Sequence, residues 1–270
     1  MSNEVDPRNE LNDLPNTEWM IYTKSVWFST PPQRDKQKRL HPATFAESDI
    51  VRLVEFFTKR GGRVLDPFVG TGSTLVACAQ CGRNGVGIEL IPYWANIARN
   101  RVAQRDFLTE QTVMCGDARE ILPTLEDESF DFIVTSPPYW NILRKDDDHK
   151  AKAERKSKGL YTRYSDHEKD LGNIASYEEF LNELGLVFEE CRRVLKRKRY
   201  MCVIVSDFRH ESRFIPYHAD LSRVIESVGC SLEGITILVQ NNKNLYPYGI
   251  PYAFVSNIHH QYVLIFRKTE

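Results

Sequence analysis

The chain shows the spacing of helices and strands from about residue 46 onward. Four apolar residues recur with the i, i+3, i+4, i+7 spacing of one helical face: Ile50, Leu53, Val54 and Phe57. This pattern predicts an amphipathic helix that ends at the glycine pair, Gly61 and Gly62.

Short apolar runs with the length and composition of strands follow this helix. We predict seven strands, at 63–68, 85–90, 111–117, 130–136, 200–207, 235–240 and 261–267. Helical patterns lie between most of them, near 73–81, from 92 to about 105, from 177 to about 195, and around 218–228. Pro92 suits the first position of a helix, and Ser176 opens a capping box with Glu179. The alternation predicts an α/β fold: a mostly parallel seven-stranded sheet with helices on both faces and an antiparallel last strand.

Two segments depart from this alternation. Residues 1–40 are polar and contain Pro31-Pro32, so we interpret them as an irregular N-terminal arm. Residues 141–172 are highly charged and lack a convincing period, which predicts a loop insertion. We therefore expect one domain from 41 to 270, interrupted by a charged loop at about 141–172.

Charge and composition narrow the class of protein. The chain has 270 residues, of which 36 are Lys or Arg and 37 are Asp or Glu, giving a net charge of −1. This balance excludes a basic coat for nucleic acid, although local basic patches remain possible. No run of about 18 apolar residues suits a membrane span, and the sequence MSNEVDPRNE does not resemble a secretory signal. We expect a cytoplasmic protein with no membrane partner.

The six cysteines include one C-x-x-C, formed by Cys78 and Cys81. A structural zinc site needs a second pair of ligands at a suitable spacing, and the sequence offers none. We interpret these cysteines as small, reduced core residues and predict no metal.

A glycine turn follows the first strand of the alternating region and opens a helix. Its sequence, DPFVGTGST, runs from Asp66 to Thr74. The glycines at 70 and 72 let the backbone turn tightly and approach a ligand closely. Leu75 replaces the third glycine of the dinucleotide fingerprint, which makes a bound pyrophosphate less favoured.

Three acids accompany this turn. Glu89 ends the next strand, where a carboxylate can accept hydrogen bonds from ribose hydroxyls. Asp117 ends the strand after it and could accept from an adenine amino group, while Asp66 could face a cationic part of the ligand. Together the three predict a nucleoside ligand, since such sheets bind ligands at the carboxyl ends of their strands. Taken singly, each acid could equally be a helix cap or a surface charge.

A second element, Thr135-Ser136-Pro137-Pro138-Tyr139-Trp140, ends the fourth strand. The prolines stop the strand and stiffen the backbone because they donate no hydrogen bond. Ser136 and the Pro137 carbonyl could then accept hydrogen bonds from an exocyclic amino group, and Tyr139 could stack on a base. The alternative is a rigid loop with a buried aromatic residue.

These two elements resemble the cofactor motif and the catalytic motif of the amino-group DNA methyltransferases, which methylate cytosine N4 or adenine N6 with S-adenosylmethionine. The resemblance covers roughly residues 40–268. Weaker matches are His41-Pro42, GDA at 116–118, RRVLK at 192–196 and HHQYVLIFRK at 259–268. The resemblance implies a Rossmann-like methyltransferase fold and a methyltransferase catalytic domain.

The resemblance also implies roles for individual residues. The cofactor would be held by Asp66, Phe68, Gly70, Thr71, Gly72 and Ser73, with its ribose on Glu89 and its adenine on Asp117. The catalytic residues would be Ser136, Pro137, Pro138 and Tyr139. The first residue of the catalytic motif tracks the target in this family, and Ser136 favours cytosine N4. The alternatives are an N6-adenine enzyme, an RNA methyltransferase, or a non-catalytic module that binds nucleic acid.

The expected reaction is a direct in-line methyl transfer to a base flipped out of duplex DNA. We predict that DNA is contacted by Lys152, Arg155, Lys156, Lys158 and Trp140. The connections between 207 and 260 offer further candidates, Asn241, Asn242 and Lys243. A cognate restriction endonuclease is a possible partner, and nucleoid association is expected in a prokaryote.

Overall fold

The computed structural model describes residues 4–29, 46–104, 108–141, 167–241 and 243–270. Its strands are β1 (Val26–Phe28), β2 (Arg63–Asp66), β3 (Asn84–Glu89), β4 (Gln111–Cys115), β5 (Phe130–Thr135), β6 (Leu195–Val205), β7 (Phe208–His210), β8 (Arg213–Ile215), β9 (Cys230–Val239) and β10 (His260–Lys268). Its helices are α1 (Asn16–Tyr22), α2 (Glu47–Phe57), α3 (Ser73–Gln80), α4 (Pro92–Ala103), α5 (Ala118–Ile121), α6 (Tyr177–Val194) and α7 (Tyr217–Ser227). Short 3₁₀ turns occupy Leu122–Thr124 and Leu171–Asn173.

The main sheet has eight strands in the order β1-β9-β10-β6-β5-β2-β3-β4. Strands β2 to β6 pair in parallel, whereas β10 is antiparallel to both β6 and β9. The C-terminal ends of β2 to β6 and of β9 therefore lie at one side of the sheet, which we call the carboxyl edge. This topology confirms the predicted mostly parallel α/β sheet with an antiparallel last strand.

Two apolar clusters cover the two faces of the sheet, and β6 contributes to both. Met201, Val203 and Val205 point into the cluster under α6 and α7. Cys202 and Ile204 point into the opposite cluster, which also takes the predicted apolar face of α2. A strand buried on both faces is an uninterrupted apolar run, and this is how β6 appears in the sequence.

The prediction of an irregular N-terminal arm is wrong for much of residues 4–29. Strand β1 pairs in parallel with β9, joining Val26 to Ile237, and Trp27 is buried in the core. The buried Asn12 donates a hydrogen bond to the Phe56 carbonyl at 2.7 Å. A three-residue strand is too short to give a period, which is why the sequence did not indicate it.

Local signals near the ends of elements give mixed outcomes. The Ser176 hydroxyl accepts from the Glu179 amide at 3.3 Å, which confirms the predicted cap of α6. The β7–β8 hairpin was missed because each strand has only three residues and its turn, Glu211-Ser212, takes positive φ angles of 47° and 66° without a glycine or asparagine. Cys78 and Cys81 are buried free thiols on α3 and at its C-cap. None of the helices in the described ranges is long and apolar enough to cross a membrane.

Candidate active site

The glycine turn, residues 66–74, connects β2 to α3 at the carboxyl edge. Gly70 and Gly72 have φ angles of 54° and 81°, a backbone region that favours glycine. A Cβ atom on Gly72 would lie 2.9 Å from the Ala98 Cβ of α4. The second glycine is therefore needed for its conformation and also for the close approach of α4.

Asp66 lies beneath this turn and is only 1% exposed. Its carboxylate accepts hydrogen bonds from the Thr135 hydroxyl at 2.6 Å, the Thr74 hydroxyl at 2.5 Å and the Phe68 amide at 3.0 Å. Burial raises the pKa of Asp66 to about 6, against the effect of these three donors. One carboxylate thus joins the end of β5, the glycine turn and the first turn of α3.

This arrangement connects the two sequence elements. Thr135 directly precedes Ser136, so the bond from Thr135 to Asp66 fixes the start of the catalytic motif, residues 135–140, against the glycine turn. Pairing of Leu65 with Ile133 in the adjacent strands supports the same register. The structure gives Asp66 a positioning role, and its direct contact with the cofactor stays a prediction.

Glu89 ends β3 beside the turn, as predicted. Its carboxylate accepts from the Gly70 amide at 3.0 Å and from the Ile91 amide at 2.9 Å. Burial raises the pKa of Glu89 to about 7, to which the negative charges of Asp170 and Asp66 contribute. A buried carboxylate held beside the glycine turn by two backbone amides is a candidate acceptor for ligand hydroxyls.

Asp117 caps α5 and is held by Arg119, which the sequence reasoning missed. The Arg119 guanidinium contacts the Asp117 carboxylate at 2.6–3.1 Å, and its amide donates to the same group at 2.9 Å. Burial alone would raise the pKa of Asp117, but the Arg119 hydrogen bonds outweigh it and the pKa is lowered. Arg119 also reaches Glu183 at 2.5 Å, so the predicted adenine contact of Asp117 would be made by an already paired carboxylate.

Arg101 was missed as well. It is buried on α4, donates to the Thr71 carbonyl of the glycine turn and pairs with Glu47 of α2. These contacts hold Thr71 in place.

Ser73, the first residue of α3, has a buried hydroxyl without a hydrogen-bond partner within the described ranges. An unpaired polar atom at this position fits a turn that holds a polar ligand.

The catalytic motif lies at the end of β5. Within the described residues, neither the Ser136 hydroxyl nor the Pro137 carbonyl has a hydrogen-bond partner. Their bonds to an exocyclic amino group stay a prediction. The Pro138 carbonyl differs, because it accepts from the Tyr217 hydroxyl at 3.2 Å. Of these three acceptors, only the Pro138 carbonyl is engaged within the described residues.

Tyr139 is anchored at its hydroxyl, which accepts from the Ser206 amide at 2.9 Å. Its ring lies 5.7 Å from that of Tyr217 and 6.2 Å from that of Phe208. Burial raises the pKa of Tyr139 to about 12, so the hydroxyl stays neutral. The Tyr139 ring is therefore fixed in orientation, and its hydroxyl is not suited to act as an acid or base.

Trp140 is packed into the protein. Its indole N–H donates to the Ile174 carbonyl at 2.9 Å, and its ring lies 4.3 Å from His210 and 5.1 Å from Tyr177. The Asn141 amide donates to the Gly172 carbonyl at 3.1 Å, so residues 171–174 brace the motif. The contact of Trp140 with DNA stays a prediction.

The remaining DNA-binding predictions are not tested by these contacts. Lys152, Arg155, Lys156 and Lys158 lie outside the described residues, as does Asn242. Asn241 and Lys243 are exposed at the start of the β9–β10 connection, which leaves the carboxyl edge.

Comparison with known proteins identifies related sequences. The family model described as DNA methylase, which covers N6 and N4 methyltransferases, matches residues 2–100 and 130–270. Type II methyltransferase M.MjaII of Methanocaldococcus jannaschii is 30% identical over 111 residues, 38% of this chain and 21% of that protein. Type II methyltransferase M.SmaI of Serratia marcescens is 46% identical over 83 residues, 30% of this chain and 27% of that protein. The aligned parts thus span less than a third of these two relatives.

A solved structure supports the fold alone. In the complex between the Haloferax volcanii Trm112 methyltransferase activator and a methyltransferase, the matching chain superposes with a TM-score of 0.53 at 12% identity. The match covers 83% of this chain and 88% of that one. Agreement over such a length at low identity indicates a shared methyltransferase architecture.

Proposed function

The chain belongs to the DNA methylase family of N6 and N4 methyltransferases, and from this premise we propose that it methylates the N4 amino group of a cytosine in DNA. The methyl group passes from S-adenosylmethionine directly to a base that has left the duplex. Family membership confirms two predictions, the Rossmann-like methyltransferase fold and S-adenosylmethionine as the cofactor.

The observation that carries the proposal is the pair of available acceptors beside the glycine turn. Ser136 follows the residue whose hydroxyl is bound to Asp66, and Asp66 also holds the first turn of α3. A base amine bound by Ser136 and the Pro137 carbonyl is therefore placed next to the ligand site of the turn. Positioning of this kind accounts for much of the rate in transfers between two bound reactants.

The chemistry follows from the amine. An exocyclic amino group conjugated to the base is a poor nucleophile, and two acceptors on its N–H groups shift the nitrogen toward sp³ geometry. The lone pair is then freed for in-line attack, and the same two oxygens face the positive charge that develops on nitrogen. S-adenosylmethionine would supply the electrophilic methyl group, its sulfonium becoming a neutral thioether as the carbon–sulfur bond breaks, and the methylated nitrogen would release one N–H proton. Tyr139, fixed through its hydroxyl, stacks on the flipped base.

The choice of cytosine rests on Ser136. The family resemblance associates serine at this position with cytosine N4, and aspartate or asparagine with adenine N6. We further propose that Lys152, Arg155, Lys156 and Lys158 contact phosphates, because they follow the catalytic motif in the chain. A cognate restriction endonuclease stays a prediction.

Identification of the modified base tests the proposal. Plasmid DNA lacking modified bases is incubated with the protein and S-adenosylmethionine, digested to nucleosides and analysed by mass spectrometry. The expected product is N4-methyl-2′-deoxycytidine. N6-methyladenine would contradict the choice of base. In a parallel reaction with RNA, methylation of the RNA together with an unmodified plasmid would contradict the DNA substrate. A Ser136→Ala variant run in parallel shows whether any product comes from this site.

A further inference from the structure

The connection between β9 and β10 lies at the carboxyl edge. Strand β9 is antiparallel to β10, which is antiparallel to β6, so β9 and β6 end on the same side as the catalytic motif. The end of this connection lies beside that motif at Ser206, whose amide donates to the Tyr139 hydroxyl at 2.9 Å. The Ser206 hydroxyl in turn donates to the His260 carbonyl at 3.0 Å. The connection is therefore continuous with the proposed base-binding site.

Residues 243–257 of this connection, which we call the aromatic loop, expose large apolar side chains. Tyr252 is 94% exposed and Phe254 is 90% exposed, and two aliphatic residues beside them are also mostly exposed, Leu245 and Ile250. Four large exposed apolar side chains within ten residues of one loop are a candidate site for binding another molecule.

The backbone of the aromatic loop is built to present these side chains. The Asn257 side chain donates to the Tyr246 carbonyl and accepts from the Tyr246 amide, both at 2.9 Å, which closes the loop. The Gly249 carbonyl accepts from the Tyr252 amide at 2.6 Å and the Ala253 amide at 2.7 Å. The tip is thus a hydrogen-bonded turn with its aromatic residues directed away from the core.

Charge favours a polyanion as the partner. The sequence from 240 to 260 contains no Asp or Glu, although the whole chain has 37 acids among 270 residues. Lys243 stands at the start of the loop, and burial lowers the pKa of His260, just beyond its end, so that this histidine stays neutral at pH 7. An apolar tip on a segment with one lysine and no acid suits nucleic acid, in which apolar side chains can reach between the stacked bases.

We propose that Tyr252 and Phe254 insert into the duplex beside the target base and occupy the space that the flipped cytosine leaves. The inference rests on the proposed function, because only a base that leaves the stack creates this space. Side chains that fill it stabilise the flipped state and so favour capture of the base by Ser136 and Tyr139. A base that is already unpaired needs less of this help.

The test compares the wild type with the double variant Tyr252→Ala/Phe254→Ala on two duplexes. Both duplexes contain a site at which the wild type methylates plasmid DNA, with the target cytosine opposite either guanine or an abasic nucleotide. On the paired duplex we expect kcat/KM to fall by about tenfold or more. On the abasic duplex the loss should be much smaller, and affinity for S-adenosylmethionine should not change. Leu186→Ala removes another exposed apolar side chain, on α6, and should change nothing.

The outcomes separate the inference from the function on which it rests. Equal activity of the double variant and the wild type on paired DNA, or an equal loss on both duplexes, would overturn insertion. A wild type that is dimeric in sedimentation, with a monomeric double variant of unchanged activity, would show that the loop covers a second copy. A wild type that binds duplex DNA without methylating it would contradict the proposed reaction. Anisotropy with paired and abasic duplexes would then decide the role of the loop, by the same pattern of loss.

Discussion

The glycine turn and the aromatic loop lie at the same edge of the sheet but differ in how far their side chains are buried and hydrogen-bonded. In the turn, Asp66, Thr71 and Thr74 are buried, and each takes part in a hydrogen bond within the protein. In the loop, Tyr252 and Phe254 are almost fully exposed. One region is complete before a ligand arrives, whereas the other presents apolar surface that only a partner can cover.

The difference fits the two ligands that we propose for these regions. A small cofactor of constant shape is best held by groups that are already fixed, because no ordering free energy is then lost on binding. A duplex is large and must itself be deformed, so the protein has to supply side chains that enter the space created by deformation. The following predictions test the rigid region and its link to the catalytic motif, from the largest effect to the smallest.

Replacing Asp66 with alanine should have the largest effect. The substitution leaves the Thr74 and Thr135 hydroxyls and the Phe68 amide without their buried acceptor. We expect the free energy of unfolding to fall by about 3 to 4 kcal/mol and both cofactor binding and turnover to be lost. Urea denaturation and calorimetry measure the two effects.

Two variants serve as controls. Asp66→Asn keeps one acceptor and should lose less stability. Asp127→Ala removes an exposed ion pair with Arg193 and should cost about 1 kcal/mol or less. Equal stability of all three variants would contradict the positioning role.

Replacing Ser136 with alanine should affect only the reaction. The hydroxyl has no partner within the described residues, so its loss leaves no buried group unpaired and the fold should be unchanged. Loss of one aligned acceptor should raise the barrier by about 3 kcal/mol, or about a hundredfold in turnover. Single-turnover methylation measures this effect, and calorimetry should show normal cofactor affinity. Full activity of the variant on duplex DNA would rule out the proposed role of Ser136.

The sequence predicted those parts of the molecule in which the signal is local. Each of these signals lies in neighbouring positions of the chain. Examples are the buried apolar run of β6, the apolar face of α2 and the cap at Ser176. The strand ends that carry Asp66, Glu89 and Asp117 followed from the alternation, because parallel strands bring their carboxyl ends to one edge.

The missed features depend on residues that are distant in the chain. Arg101 contacts Glu47 across 54 positions, and Arg119 contacts Glu183 across 64. No period or motif links such pairs, and each arginine alone has the sequence appearance of a surface residue. Strand β1 was missed for a related reason, since its three residues become a strand only by pairing with β9.

Gly72→Ala should weaken the turn by an intermediate amount. An alanine would have to keep a φ angle of 81° and would place its Cβ 2.9 Å from that of Ala98. We expect about 2 kcal/mol lower stability and weaker cofactor binding. Gly82→Ala is the matched control, because Gly82 has a φ angle of 75° and its nearest neighbour would be the end of Arg60 at 3.9 Å. It should cost about 1 kcal/mol through strain alone. Equal losses in the two variants would show that the approach of α4 does not matter.

The smallest effect concerns the protonation of Glu89. Burial raises the pKa of Glu89 from 4.5 to about 7, so its contribution to stability is present at low pH and lost as the pH rises through 7. Binding has the opposite sign, because ribose hydroxyls donate to the ionised carboxylate and favour it. Cofactor affinity should therefore rise by about tenfold between pH 6 and pH 8, with a proton released on binding below pH 7. Calorimetry in buffers of different ionisation enthalpy measures both quantities. Glu89→Gln has no proton to lose and should bind more weakly with a flatter pH dependence, while Asp66 and Asp170 still face the site. If the variant kept the slope of the wild type, the titrating group would be another residue, and the ribose would not be bound by Glu89.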